Sequence, residues 1–440
     1  MATQTQVTTS RLKALGAAAD INQNANLAKF TEPSADDEYD NAVQLIESKL
    51  DKMAAVDALF TVNLGSNHPG LLVDARNSGR ATMSQITDRQ QCDLESCSAD
   101  LYVRPHMIQR FVDGVMDARY ALNWGHIFAI GATRVAIKFV DVLTSFEAIH
   151  PKLDPSIIDK LPRPTEDVGQ VKADLSKWGY GFVKNALSPE ELQKLQKRLK
   201  DQARGEAEAG VGFFDGGETM PNQRLWCLHN KGQEFIDLLD HNKVLKQFLP
   251  PHLGDDAILF SYTANIARPG NSPMYLHTDQ LTIQPPIRNI NFGLNFMFFL
   301  TDITAENGGT LVMPGSHTGN FAPDDPYDVS DCVAAEGPAG TCMVFESRLW
   351  HATGPNRTPG SERPVIIVFF MRPFIRPQEN FFFSLRPGLE ENLSDRVKGF
   401  LGYRSTGSIG GVEGKTKDGT FVKKLENPVG ILGGESVPLN

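Results

Sequence analysis

Cysteine is scarce in this 440-residue chain. The five present, Cys92, Cys97, Cys227, Cys332 and Cys342, are too scattered for the disulfide framework of a small secreted domain. The spacing of Cys92 and Cys97 would admit a metal pair, but no second close pair completes a four-ligand site, so these read as buried or incidental thiols. Long apolar runs are also lacking: no uninterrupted stretch has the length of a membrane span, and the opening MATQTQVTTSRLKALGAAAD has no signal-peptide character. Stable membrane insertion is therefore not expected, and the cytoplasm is the expected compartment. Positive charge is in the minority, with 43 Lys and Arg against 53 Asp and Glu and a formal net charge of -10. That balance, without a basic cluster, argues against nucleic acid as a partner. The Gly-rich STGSIGGVEGKTKDG lacks the GxxxxGKS or GxxxxGKT spacing of a phosphate-binding loop and reads as a surface loop or a region held by another subunit.

What is present is an apolar fraction of 41%, enough for a sizeable core, on a length that suits about two or three domains. Residues 1–38 are rich in Ala, Asn, Thr and acids and read as a leader or surface-packed segment. Order is expected from Tyr39, where Val43, Ile46 and Leu50 recur at helical spacing. DALFTVNLG reads as a strand and RNSGRATMSQI as a turn into another. Val103 to Ala118 and Ala132 to Phe146 read as helices, the second apolar on more than one face, as suits packing on a sheet or lining a cavity. Residues 39–150 are thus expected to form an α/β domain. Four prolines between 151 and 164 mark residues 151–174 as a linker. Beyond it WGYGFV resembles a strand and SPEELQKLQKRLK a helix with Ser188 as cap, Pro189 in the first turn and Glu191 closing a capping box. From about residue 258, AILFSYTANI, GLNFMFFL, GGTLVMP, TCMVFES and PVIIVFFMRPF alternate with Gly, Pro and Asn turns and predict an all-β barrel or sandwich within 175–385. Residues 386–440 form an extension packed on the core or at an oligomer interface, which admits self-association.

The chemistry concentrates in MYLHTDQ and ESRLWHATGPNR. On an extended strand His277 and Asp279 point to the same side. With His351, 72 residues after Asp279, they offer two imidazoles and a carboxylate for one face of octahedral Fe(II), leaving the opposite face to substrate oxygens and dioxygen. A bare His-x-Asp belongs as readily to a surface hydrogen-bond network, and a lone histidine to a satisfied pocket. Context favours the metal. Arg363 begins the very apolar PVIIVFF run, where a guanidinium entering a cavity suits a carboxylate, and Thr353 can direct its hydroxyl to the same group.

This constellation resembles the phytanoyl-CoA hydroxylase-like family of Fe(II)/2-oxoglutarate-dependent oxygenases over about residues 175–385. The resemblance implies a double-stranded β-helix jelly roll with flanking helices, and iron held by His277, Asp279 and His351. It implies that Arg363, assisted by Thr353, anchors the remote carboxylate of the 2-oxoglutarate cosubstrate, with Asn265 as a further donor to it. GGTLVMPGSH matches the family's strand-and-turn element, which gives His317 a structural role. Arg224, Arg288 and Trp350 are candidates for the substrate side, each with a plainer reading as a packing or rim residue. The expected reaction is oxidation of a small organic or natural-product substrate with dioxygen, yielding succinate and carbon dioxide. Hydroxylation is the default outcome, and desaturation or oxidative cyclisation is an alternative because substrate placement decides it.

From Val43 to Phe146 the chain resembles the sterol carrier protein 2 family, notably in SGRATMS and DLYVRPHMIQRFVDGVMDARYALNWGHIFAIG. This implies a sterol-carrier-like α/β accessory domain with an acyl or other lipophilic ligand. Phe111, Val115, Trp124, Phe128, Val135 and Phe139 would line its pocket or simply form its core. The competing reading of the whole chain is a catalytically inactive lipid-binding or structural protein.

Overall fold

The computed structural model describes residues 30, 32–76, 79–86 and 96–410, with the backbone of 429–432 and 435–438. Cys92 and the second half of the Gly-rich C-terminal segment lie outside the described residues. No helix among the described residues is long and apolar enough to cross a membrane.

The N-terminal α/β unit contains a helix at Asp36–Glu47. It starts three residues before the expected Tyr39 because Asp36, Asp37 and Glu38, which read as leader, sit in the first turn, where the positive end of the helix dipole favours them. Five strands follow: β1 Leu59–Asn63, β2 Leu71–Asp74, β3 Thr82–Gln85, β4 Ala99–Val103 and β5 Ile127–Gly131. They align in the order β3-β2-β1-β4-β5, with β1 and β4 parallel and the other pairs antiparallel. The stretch expected as one helix from Val103 to Ala118 is shorter, Pro105–Val112. Gly114 turns the chain at φ 67, and a second helix, Ala118–Asn123, begins where the Asp117 side chain accepts from the Arg119 amide. The apolar stretch after residue 132 is a helix at Thr133–Thr144. Its Val135 and Phe139 join Phe60, Ile108 and Phe111 in a fully buried core, with Phe60 and Phe139 edge to face at 5.8 Å.

The proline-rich stretch holds a short 3-10 turn at Pro155–Lys160, and its last residues enter a helix, Val168–Trp178, capped by Asp167. Gly179 ends that helix at φ 85, and a side chain there would meet His317 Nδ1 at 2.7 Å. The β half contains β6 Tyr180–Val183, β7 Phe213–Asp215, β8 Asn222–Leu225, β9 Ile258–Ala267, β10 Gly293–Phe299, β11 Leu311–Val312, β12 Val333–Ala334, β13 Cys342–Glu346, β14 His351–Ala352 and β15 Arg363–Met371. They form a seven-stranded sheet, β6-β13-β10-β15-β9-β8-β7, and a three-stranded sheet, β12-β11-β14. A cavity of about 900 Å³ draws its walls from both sheets. This is the jelly-roll-like arrangement expected.

Strand period two explains how one sheet serves both a core and a cavity. Tyr262, Ala264 and Ile266 of β9, Phe296 and Phe298 of β10, and Ile366 and Val368 of β15 face an apolar core shared with helices Pro189–Glu208, Gln233–His241 and Lys243–Leu253. The alternate residues Thr263, Asn265, Asn295, Met297, Val365 and Ile367 line the cavity. A register shift at Phe369/Phe370 breaks the alternation, which brings both Phe260 and Ser261 to the cavity wall.

Helix Pro189–Glu208 carries the expected capping box: Glu191 N donates to Ser188 Oγ at 3.2 Å, and Ser188 N donates to Glu191 Oε2 at 2.8 Å. Ser188→Ala should cost about 1 kcal/mol of stability, read as a lower urea midpoint at unchanged slope; an unchanged midpoint would show that the box contributes nothing.

Candidate metal centre and cavity

His277 and His351 form an antiparallel bridge between their backbones, each amide donating to the other's carbonyl at 3.0 and 2.9 Å. His351 belongs to β14, while His277 lies in an extended segment outside the named strands and Asp279 starts a 3-10 turn, Asp279–Thr282. The His-x-Asp pair therefore keeps its common side without a regular strand beneath it. The two imidazole centroids are 4.4 Å apart.

Both rings are oriented by their Nδ1 atoms. His277 Nδ1 lies 3.0 Å from the Tyr275 carbonyl, and His351 Nδ1 lies 3.0 Å from that of Leu349. A carbonyl only accepts, so each Nδ1 carries the proton and each Nε2 presents a lone pair. Those Nε2 atoms converge on one carboxylate, His277 on Asp279 Oδ1 and His351 on Asp279 Oδ2, each at 3.8 Å. The ligand atoms of the three residues lie within 4.8 Å of one another. Burial, followed by the neighbouring His351, pushes the His277 pKa down to about 4, so its imidazole is neutral and ligand-ready at neutral pH. Asn295 Nδ2 donates to Asp279 Oδ2 at 2.7 Å and orients the carboxylate. The donor set and its tautomers fit a divalent transition metal of the iron type.

A few residues away the cavity holds an uncompensated cation. Arg363 is 1% exposed, and its Nε and Nη2 are buried with no hydrogen-bond partner among the described residues. Burial and the nearby Arg224 charge push its pKa down to about 10. The Oδ1 of Asn265 is likewise buried without a partner, and its Nδ2 faces Thr353 Oγ1 at 3.5 Å. All three residues line the same cavity as the triad. Two forked donors beside two adaptable polar groups match a carboxylate.

The remaining expected site residues divide. Arg224 lines the cavity while pairing with Asp215 at 3.3 Å. Arg288 does not: its guanidinium pairs with Asp117 at 2.5 Å and lies 3.7 Å over the Phe146 ring, joining the N-terminal unit to the β half. Trp350 is also turned away, donating Nε1 to the Phe321 carbonyl at 2.8 Å and packing with Leu276 and Met313. Its neighbour His351 faces the cavity, and period two sends adjacent side chains to opposite sides. His317 bonds the Ser176 carbonyl through Nε2 at 3.1 Å, a structural turn contact.

Asn295 escaped the sequence reading, although a single amide inside GLNFMFF was a visible signal. Phe345, edge to face with His351 at 5.0 Å, carried none. Of the N-terminal residues expected in a core or pocket, Phe111, Val135 and Phe139 are core, Val115 is half-buried, Phe128 lines a second cavity, and Trp124 is 63% exposed and lines both cavities.

The phytanoyl-CoA dioxygenase (PhyH) family matches residues 175–365. The curated dioxygenase af480 of Aspergillus fumigatus is 31% identical over 248 residues, which span 56% of this chain and 80% of that one. The chain belongs to the PhyH family. Dioxygenase FUM3 of Gibberella moniliformis is 32% identical over 162 residues, covering 35% of this chain and 52% of its own. Among solved structures, the non-heme alpha ketoglutarate dependent carbocyclase SnoK from nogalamycin biosynthesis is similar at 18% identity and a TM-score of 0.39, over 53% of this chain and 94% of that one. The PhyH match encloses the triad and Arg363 and stops short of the N-terminal unit. This PhyH protein is a non-haem Fe/2-oxoglutarate dioxygenase.

Proposed function

We propose that His277, Asp279 and His351 hold Fe(II), that Arg363 with Thr353 and Asn265 holds the distal carboxylate of 2-oxoglutarate, and that the enzyme hydroxylates a C–H bond of an organic or natural-product substrate. The observation that carries this reading is the pairing of two Nε2 lone pairs on one carboxylate with a buried guanidinium in the same cavity whose Nε and Nη2 have no partner among the described residues. Bound iron with 2-oxoglutarate and dioxygen supplies the oxidising power, with succinate and carbon dioxide as coproducts. The chain's own residues do the rest. Arg363 and Thr353 fix one end of the cosubstrate, Asn295 keeps the Asp279 carboxylate turned toward the two imidazoles, and Met297, Phe345, Val365 and Ile367 keep the cavity wall apolar.

The test is anaerobic addition of Fe(II) and then 2-oxoglutarate, followed by visible absorption, with succinate detection during a substrate screen. Stoichiometric iron and a product requiring both cosubstrates support the proposal; folded protein that binds no iron defeats it. Asn295→Leu should weaken iron binding by about 10–100-fold through loss of the bond to Asp279, measured by competition with a chelator. Unchanged affinity would mean the carboxylate needs no such guide.

A further inference from the structure

The N-terminal unit does not merely sit beside the oxygenase half. Its helix Ala118–Asn123 packs against the 3-10 turn that begins with Asp279. The docking is built from buried polar groups: Arg119, 2% exposed, donates to Asp141 at 2.8 Å and to the Pro323 carbonyl at 3.2 Å. Asp117 receives Arg288 while its amide donates to Gln284 Oε1 at 3.0 Å. Such a network fixes orientation, since truncating one partner strands the other in a dry interface.

That orientation brings Tyr120, Asn123 and Trp124 to the wall of the cavity containing the triad. A second cavity of about 350 Å³ lies between the two units, and Asn123, Trp124 and Tyr275 line both. Trp124 is 63% exposed, with its ring centroid 5.8 Å from that of Tyr120. An indole so exposed contributes little to folding, and its position on two cavities is that of a contact surface for a ligand.

We propose that the N-terminal unit completes the substrate site, with Trp124 and Tyr120 forming an aromatic shelf across which an elongated, largely apolar organic substrate runs from the triad into the second cavity. The proposal rests on the iron and 2-oxoglutarate reading for which end reacts. The shelf selects for length and for a flat or apolar middle, while the second cavity holds the end farther from the oxidised carbon. Phe128 and Ile127 offer that end apolar contacts, and Asn123 offers a polar one.

The test uses full-length protein loaded anaerobically with Fe(II) and 2-oxoglutarate, and 8-bromooctan-1-ol as probe, whose bromine quenches tryptophan emission on contact. Wild-type emission is expected to fall saturably with probe concentration, and W124F should lose at least half of the saturable component. Quenching that is linear in probe, or a saturable component unchanged in W124F, overturns the proposal. Once a substrate is found, W124A should raise its KM at least tenfold with a smaller change in kcat; an unchanged KM overturns it as well. The visible absorption of loaded wild-type protein keeps the two ideas apart. Its absence would undo the metal reading, whereas its presence with linear quenching would undo only the shelf.

Discussion

Arg363→Met is expected to raise the melting temperature of the protein in plain buffer and to remove its stabilisation by 2-oxoglutarate. The guanidinium is fully buried with Nε and Nη2 unpartnered among the described residues, and burial drives its pKa down to about 10 from the ordinary arginine range. The sign follows from linkage. A cation whose folded pKa lies below its unfolded value is destabilising at every pH below the folded pKa, here including neutrality, and two to three units correspond to about 3 kcal/mol. Methionine fills a similar volume without charge, so several degrees of melting temperature should be recovered. The cost appears on ligand binding. Wild-type protein at a hundred times its dissociation constant should gain about 2.7 kcal/mol from 2-oxoglutarate. The variant should lose about 2–5 kcal/mol of affinity, a factor of roughly thirty to several thousand. Thermal melts with and without 2-oxoglutarate decide it: a variant that melts lower and still responds to the ligand would show that Arg363 is structural.

The opposite movements of stability and binding expected at Arg363 separate what the sequence could express from what it could not. Residues whose roles follow from local periodicity were legible. The capping box at Ser188 and Glu191 lies within one helical turn, and the five strand segments from 258 onward declare themselves by short β-branched and aromatic runs between turns. The triad was legible for a chemical reason, because two histidines and an aspartate with a following arginine have few other uses in such apolar surroundings. Arg288 and Trp350, candidates for the substrate side, do not line the cavity that holds the triad. The partner of Arg288 is Asp117, 171 positions away, and only the docking of two units decides which way it points. Trp350 adjoins a cavity residue, and in extended backbone that adjacency turns it outward. Trp124 reads equally as core or pocket in the sequence, because apolar character says that a residue seeks a partner without saying whether that partner is protein or ligand. The helix start at Asp36 was hidden by its acids, whose role at a helix N-terminus resembles the composition of a loop.

Asp279→Ala is expected to abolish iron binding and turnover while leaving the protein folded, and the reason lies in how the charges are distributed around the site. The two imidazoles are neutral donors, held with Nδ1 on backbone carbonyls, and Asp279 supplies the only negative charge in the group. Its carboxylate faces both Nε2 atoms at 3.8 Å, so removing it leaves two ligands and takes away the electrostatic attraction for a dication. Loss of an outer partner costs about 10–100-fold in metal affinity, and loss of a ligand should exceed that. Turnover should fall at least about a thousandfold, since the metal's several kcal/mol of assistance disappear with it. Folding should be little affected, because Asp279 is partly exposed and its side chain's close hydrogen bond among the described residues is the one from Asn295. The melting temperature without metal should therefore stay within a few degrees of wild type, while the shift produced by Fe(II) vanishes. His351→Ala should behave in the same way toward iron. Retained Fe(II) affinity in either variant would move the metal away from this triad, whereas parallel loss in both, with intact folding, would leave Arg363 as a carboxylate anchor beside an empty metal site.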